Sequence, residues 1–164
     1  PRGVRRINIQ SARQMLEAVQ AQVDAATLFI ATAAVADWRP AQAADQKLKK
    51  DGSGAVPALG FIENPDILAA VAQSERARSG QLYCVGFAAE SHDLLAHASA
   101  KRVRKGVPLL VGNIGPATFG QDDNALLLVD ADGATDVPRA SKRVLAQHLI
   151  TEIARRLSAA GLQA

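Results

Sequence analysis

The sequence predicts a three-layer α/β sandwich with a largely parallel central sheet, built by residues 1–164 as a single domain. Three observations lead there. Short continuous apolar runs, "TLFIATAAV", "LYCVGFAAE" and "VPLLVGN", read as strands buried on both faces, as central parallel strands are. They alternate with stretches of helical periodicity, which is the pattern of a helix-covered sheet. At 164 residues and 48% hydrophobic content, the chain is large enough for one core.

Taken in order, "VRRINI" (Val4 to Ile9) reads as a short strand. Ser11 followed by Gln14 forms a capping-box pattern, and Met15, Ala18, Val19 and Val23 then share one helical face. "TLFIATAAV" is the first buried strand, and "VPALGFIE" a second extended piece. Asn64-Pro65 reads as a helix start, with Asn64 as the cap and Pro65 at the first helical position. "LYCVGFAAE" is another strand, "DLLAHASAKRVRK" a helix, and "VPLLVGN" a strand ending at Asn113. "NALLLVD" followed by Asp132-Gly133 marks a strand entering a tight turn. "SKRVLAQHLITEIARRLSAAG" is a long closing helix stopped by Gly161.

Composition excludes several classes of function. No apolar run approaches the roughly 20 residues that cross a bilayer, so no membrane partner is expected. "PRGVRRINIQ" lacks the apolar core of a signal peptide, and the single Cys84 excludes an internal disulfide. A cytoplasmic location is the expectation. Nucleic acid is not expected as a partner, because aromatics for base stacking make up 4% of the chain. A net charge of +3 permits an anionic ligand.

In such a fold, ligands sit beyond the carboxyl ends of the strands. That rule marks the loop after Ala33, the residues after Phe87 and the loop after Asn113. The first of these, "AAVADWRPAQAADQKLKK", carries Asp37, Trp38 and three lysines, Lys47, Lys49 and Lys50. Lys101 and Lys105 lie one turn apart on a later helix, so both can reach one anion. Lysines converging from two segments suit a polyphosphate; each cluster also reads as a solvated face or a guarded strand edge. Asp37 is a ribose or metal-water acceptor, or a turn former. Trp38 shields the site or, more simply, packs on the sheet edge. Phe87 is a ledge for a base ring, or core filling. The backbone N–H groups of Asp66, Ile67 and Leu68 suit an oxygen acceptor. Cys84 reads as a small buried residue, and the three histidines lack metal-site spacing. Neither G-x-G-x-x-G nor a P-loop is present.

The ordered series "AAVADWRP", "KLKK", "ENPDILA", "VGFAAE", "AKRVRKG", "VGN" and "FGQDDNALLLV" resembles the phosphopantothenoylcysteine synthetase family. That family usually forms the C-terminal half of a bifunctional bacterial coenzyme A biosynthesis protein. The resemblance runs from about Val4 to the last helix. It implies a Rossmann-like fold and a ligase joining 4′-phosphopantothenate to L-cysteine. CTP as co-substrate, an acyl-cytidylate intermediate, Mg²⁺ bound with the nucleotide, and a homodimer in the complete protein are also implied. Carried over by position, the nucleotide contacts fall on Ala31, Thr32, Ala33, Asp37, Lys47, Pro65, Asp66, Ile67, Leu68, Phe87, Lys101 and Lys105. Lys47 is the catalytic candidate. No residue is assigned as a metal ligand.

Two departures from the family pattern carry expectations. The family begins with a strand, a glycine-rich loop and a helix ahead of "GVRRINI". The chain is therefore expected to be the C-terminal part of a larger synthetase domain, with little complete activity alone. A non-catalytic nucleotide-binding remnant is the alternative. Pro108 stands where the family commonly has an aspartate, and "VGNIG" lacks the usual aspartate after its asparagine.

Overall fold

The computed structural model describes residues 3–42, 46, 49, 58–115, 118 and 120–162. Ser11 opens the first helix, α1 (Ala12–Val23), through the reciprocal cap its spacing predicts. Its hydroxyl accepts the Gln14 N–H at 3.2 Å, and Gln14 Oε1 accepts the Ser11 N–H at 3.2 Å. The chain continues through β1 (Leu28–Ala31), β2 (Trp38–Pro40), β3 (Phe61–Glu63), α2 (Ile67–Ala72) and α3 (Glu75–Arg78). Then follow β4 (Tyr83–Glu90), α4 (Leu94–Lys105), β5 (Leu109–Ile114), β6 (Asp123–Val129), β7 (Ala134–Ser141) and α5 (Lys142–Ala159).

Five strands form the main sheet in the order β1-β4-β5-β6-β7. The β1–β4 and β4–β5 pairs are parallel, and the hairpin side, β5–β6 and β6–β7, is antiparallel. Leu109, Leu110 and Val111 on the central strand are fully buried because both faces are covered. Leu110 faces a core with α1 to α4, together with Cys84, Ala88, Leu127 and Val129. Leu109 and Val111 face the opposite core, filled by Leu145, Leu149, Ile153 and Leu157 of α5. These are the three layers. Burial also pushes the Cys84 thiol up to about 11, which leaves it an inert core group.

Two glycines set how closely the helices that carry the candidate site approach the sheet. A Cβ at Gly86 would meet Leu68 Cδ2 at 2.6 Å and Leu110 Cδ1 at 2.8 Å; one at Gly112 would meet Leu94 Cδ1 at 2.9 Å. Bare backbone at these points seats α2 and α4 directly on β4 and β5.

Three expectations differ from what is observed. "VRRINI" forms no strand: Val4, Ile7 and Ile9 are exposed, and no described residue pairs with them. A ladder partner, and not an apolar pattern alone, is what makes a strand. The β1 strand is half-buried rather than buried, because it pairs on one side with β4. The cap of α2 is Asp66, not Asn64. Asp66 Oδ1 accepts the Ala69 N–H at 3.0 Å, whereas the Asn64 side chain is engaged elsewhere.

The hairpin turn is tied to the closing helix through Asp130. Its Oδ1 accepts the N–H groups of Asp132 at 2.8 Å and Gly133 at 3.1 Å, while Oδ2 pairs with Arg156. Burial alone would raise this carboxyl, but the Arg156 bond and charge and the two backbone N–H groups outweigh it, so it lies below the ordinary value. A depressed folded pKa contributes stability above the unfolded value near 3.9, lost as pH falls through the folded one. Asp130→Asn is therefore expected to be less stable than wild type by about 2 kcal/mol at pH 7. The gap should close as unfolding is followed down to about pH 2. A gap independent of pH would dismiss the assignment.

Candidate functional site

Two of the segments marked by the strand-end rule, the Asp37 loop and the end of β4, meet the Pro65–Leu68 turn and α4 through side chains far apart in sequence, whereas Asn113 donates to Thr118 Oγ1 at 3.0 Å. Ala31 ends β1 beside Gly86, with Thr32 and Ala33 exposed just beyond it. The chain then leaves the sheet and pairs β2 with β3 as a separate two-stranded ribbon, Trp38 opposite Glu63. Asn64 pins the approach to this ribbon. Its backbone N–H donates to the Asp37 carbonyl at 2.8 Å and its Nδ2 to the Ala36 carbonyl at 2.8 Å. Its Oδ1 accepts from the Arg39 guanidinium at 2.9 Å, which also donates to the Glu63 carbonyl at 2.7 Å. This lock fixes the Asp37 loop against the Pro65–Leu68 turn and leaves the Asp37 side chain exposed.

From that turn the contacts continue to α4. Asp66 pairs with Lys105, whose side chain is 19% exposed. Burial favours the neutral Asp66 carboxyl, but bonds from Lys105 and the Ala69 N–H, with the charges of Lys105 and Arg104, leave it below the ordinary value. One turn earlier, Lys101 lies 3.9 Å from Glu90 at the carboxyl end of β4, and His97 Nδ1 lies 3.7 Å from the other Glu90 oxygen. Asp37's loop, the Pro65–Leu68 turn and Lys105 are thus linked by direct contacts, with Lys101 beside them on α4.

Other candidate residues turn their side chains inward or lie elsewhere. Leu68 packs on Gly86 and Ile67 is buried, so both place the turn by their side chains and have backbone alone to offer a ligand. Phe87 packs with Val85, Val111 and the α5 side of the core, the face of the sheet opposite α2 and α4. Trp38 is 61% exposed on the ribbon and does not pack on the main sheet. Lys47 lies outside the described residues. Arg39, Asn64 and Glu90 are the partners that sequence reasoning missed as site-builders. The relevant contacts of Arg39 and Asn64 span 24 to 28 residues, which no local spacing rule detects.

Among the described residues, no three His, Cys, Asp or Glu side chains converge to hold a metal ion. No described helix is long and apolar enough to cross a membrane. A groove of about 570 Å³ lies at the amino ends of β4 and β5, between Tyr83, Val103, Val107 and Leu162. None of the described candidate residues lines it. Its walls are largely apolar, and its cation, Arg102, already donates to the Val107 carbonyl at 3.3 Å. Asp37, Asp66, Lys101 and Lys105 all lie outside this lining.

Residues 1–157 match the family model described as DNA/pantothenate metabolism flavoprotein C-terminal domain. The coenzyme A biosynthesis bifunctional protein CoaBC of Vibrio cholerae is 40% identical over 158 residues, 93% of this chain and 39% of that protein. The chain thus spans about two fifths of the curated relatives it matches. The crystal structure of the C-terminal domain of a CoaBC superposes with a TM-score of 0.74 at 25% identity, covering 96% of this chain and 68% of that one. A Cab2 variant in complex with phosphopantothenate-cysteine gives 0.71 at 18% identity, covering 94% and 53%, a likeness of fold.

Proposed function

The chain belongs to the DNA/pantothenate metabolism flavoprotein C-terminal domain family, and on that premise we propose that it binds CTP for a phosphopantothenate–cysteine ligase of coenzyme A biosynthesis. The observation that carries the proposal is the contact chain from the Asp37 loop through Asn64 and Asp66 to Lys105. It brings the Lys105 ammonium of α4 to the turn beside that loop, which supports an anion-binding role for it. Phe87 and the strand-end residues Ala31, Thr32 and Ala33 enter through the family resemblance.

A free carboxylate is a poor acceptor for an amine, so its oxygen must first become part of a leaving group. The phosphopantothenate carboxylate attacks the α-phosphate of CTP; a new O–P bond forms, the α–β anhydride bond breaks, and pyrophosphate leaves with the electron pair. Charge on the phosphates is greatest as that bond breaks, where Lys47, Lys101 and Lys105 donate hydrogen bonds. The cysteine amine then attacks the acyl carbon; the amide forms, the amine gives up a proton and CMP departs. Holding amine and anhydride in contact supplies much of that second step. Mg²⁺ would be carried mainly by the phosphates, as this ion usually keeps several waters and few protein ligands, and it would neutralise phosphate charge. A homodimer of the complete protein fits the ribbon, where Trp38, Phe61 and Leu59 are each about 60% exposed.

Calorimetric titration of this chain with CTP, ATP and GTP in the presence of Mg²⁺ tests the reading. Saturable CTP binding, tighter than that of the purine nucleotides, is expected. Absence of binding by all three would remove the nucleotide site. A separate ligation assay distinguishes a working ligase from a domain that holds nucleotide without completing the reaction.

A further inference from the structure

Asp66 is doubly committed. One carboxylate oxygen caps α2 at the Ala69 N–H, 3.0 Å away, and the other bonds the Lys105 ammonium across the gap to α4. The cap prevents this carboxylate from following the lysine if the lysine moves. Lys105 is held near its tip, with its stem covered so that 19% of the side chain is exposed. An ammonium has three N–H donors, and one acceptor leaves two of them for a ligand. A free lysine gives up most of its rotamer freedom when it grips a phosphate; one already aimed does not. The charge of Arg104 also acts on Asp66, so one carboxylate faces two cations and the surroundings stay positive.

We propose that the Asp66 side chain is a positioning residue for nucleotide binding, acting through Lys105 rather than on the nucleotide. This rests on the CTP reading above and refines it: within the "PDIL" turn, backbone and side chain have separate tasks. Glu90 is a looser counterpart, 3.9 Å from Lys101 and shared with His97, and the proposal does not extend to it. The competing possibility is a place-holder, a carboxylate that phosphate must displace. It predicts the opposite sign.

The test is calorimetric titration of this chain with CTP and Mg²⁺ in four forms: wild type, Asp66→Asn, Lys105→Gln and the double variant. Asn is as good a cap as Asp, so α2 should stay formed, and loss of the pair from a half-exposed carboxylate should lower the thermal midpoint by only a few degrees. Asp66→Asn is expected to weaken CTP binding about tenfold, and the double variant no more than Lys105→Gln alone. Asp66→Ser, a second uncharged cap, should give the same loss and serves if Asp66→Asn folds poorly. Unchanged or tighter binding in the Asp66 variants, with Lys105→Gln impaired, overturns this inference and leaves the CTP reading intact. Normal binding by Lys105→Gln overturns both.

Discussion

Lys47→Gln, made in the complete protein, is expected to lower nucleotide-dependent adduct formation about 100-fold or more, the scale of losing one donor to developing oxyanion charge. Glutamine keeps hydrogen-bond donors at similar reach and removes the charge, so the loss would measure the ammonium. The described residues on either side of Lys47 give the expectation its physical setting. β2 and β3 end together at Pro40 and Phe61, and the Ala41 N–H donates to the Gly60 carbonyl at 2.8 Å. The residues between them therefore start and finish at one point, next to the ribbon that carries Trp38 from the Asp37 loop. If KM for CTP rises while kcat is retained, Lys47 binds; if kcat falls at saturating CTP, it acts when the α–β bond breaks. Near-normal turnover would end its candidacy as the essential group.

Ile153→Ala should have the largest effect on stability. Ile153 is 1% exposed and sits in the row Leu145, Leu149, Ile153 and Leu157, by which α5 packs against one face of the sheet. Truncation removes apolar burial and leaves a cavity against strands that cannot collapse into it, at a cost of about 3 kcal/mol. Thermal unfolding should move down by about 10 °C at this chain length. The same substitution at Ile150, 54% exposed on the same helix, should be nearly silent. Comparable losses at both positions would mean that α5 is packed differently.

The row of α5 shows how far sequence reading reaches. Four apolar residues at four-residue spacing give the helix and its buried stripe without any knowledge of the sheet. The capping box at Ser11 and Gln14 is equally self-contained, for both partners lie within one turn. The alternation of elements gave the α/β class, and ordered motifs gave the family that residues 1–157 match.

Asn64 marks the limit. Two residues separated by one proline each had a side chain able to cap α2, and local rules favoured the first. Asn64 was instead drawn away by the Ala36 carbonyl and by Arg39, 28 and 25 positions distant, and the cap passed to Asp66. The burial of β1 and the failure of "VRRINI" to form a strand likewise depended on neighbours in space. Phe87 reads from the sequence as a base ledge or as core filling, and the fold packs it against the core on the α5 side.

The amino-acid order by itself determined the periodicities, the first helix cap, the sandwich class and the set of candidate anion-binding lysines, because those signals are written within a turn or a strand. Tertiary structure alone decided which carboxylate meets which lysine and which face each strand residue takes. Such pairings are settled by competition among groups that are distant in the chain and become neighbours when the layers pack.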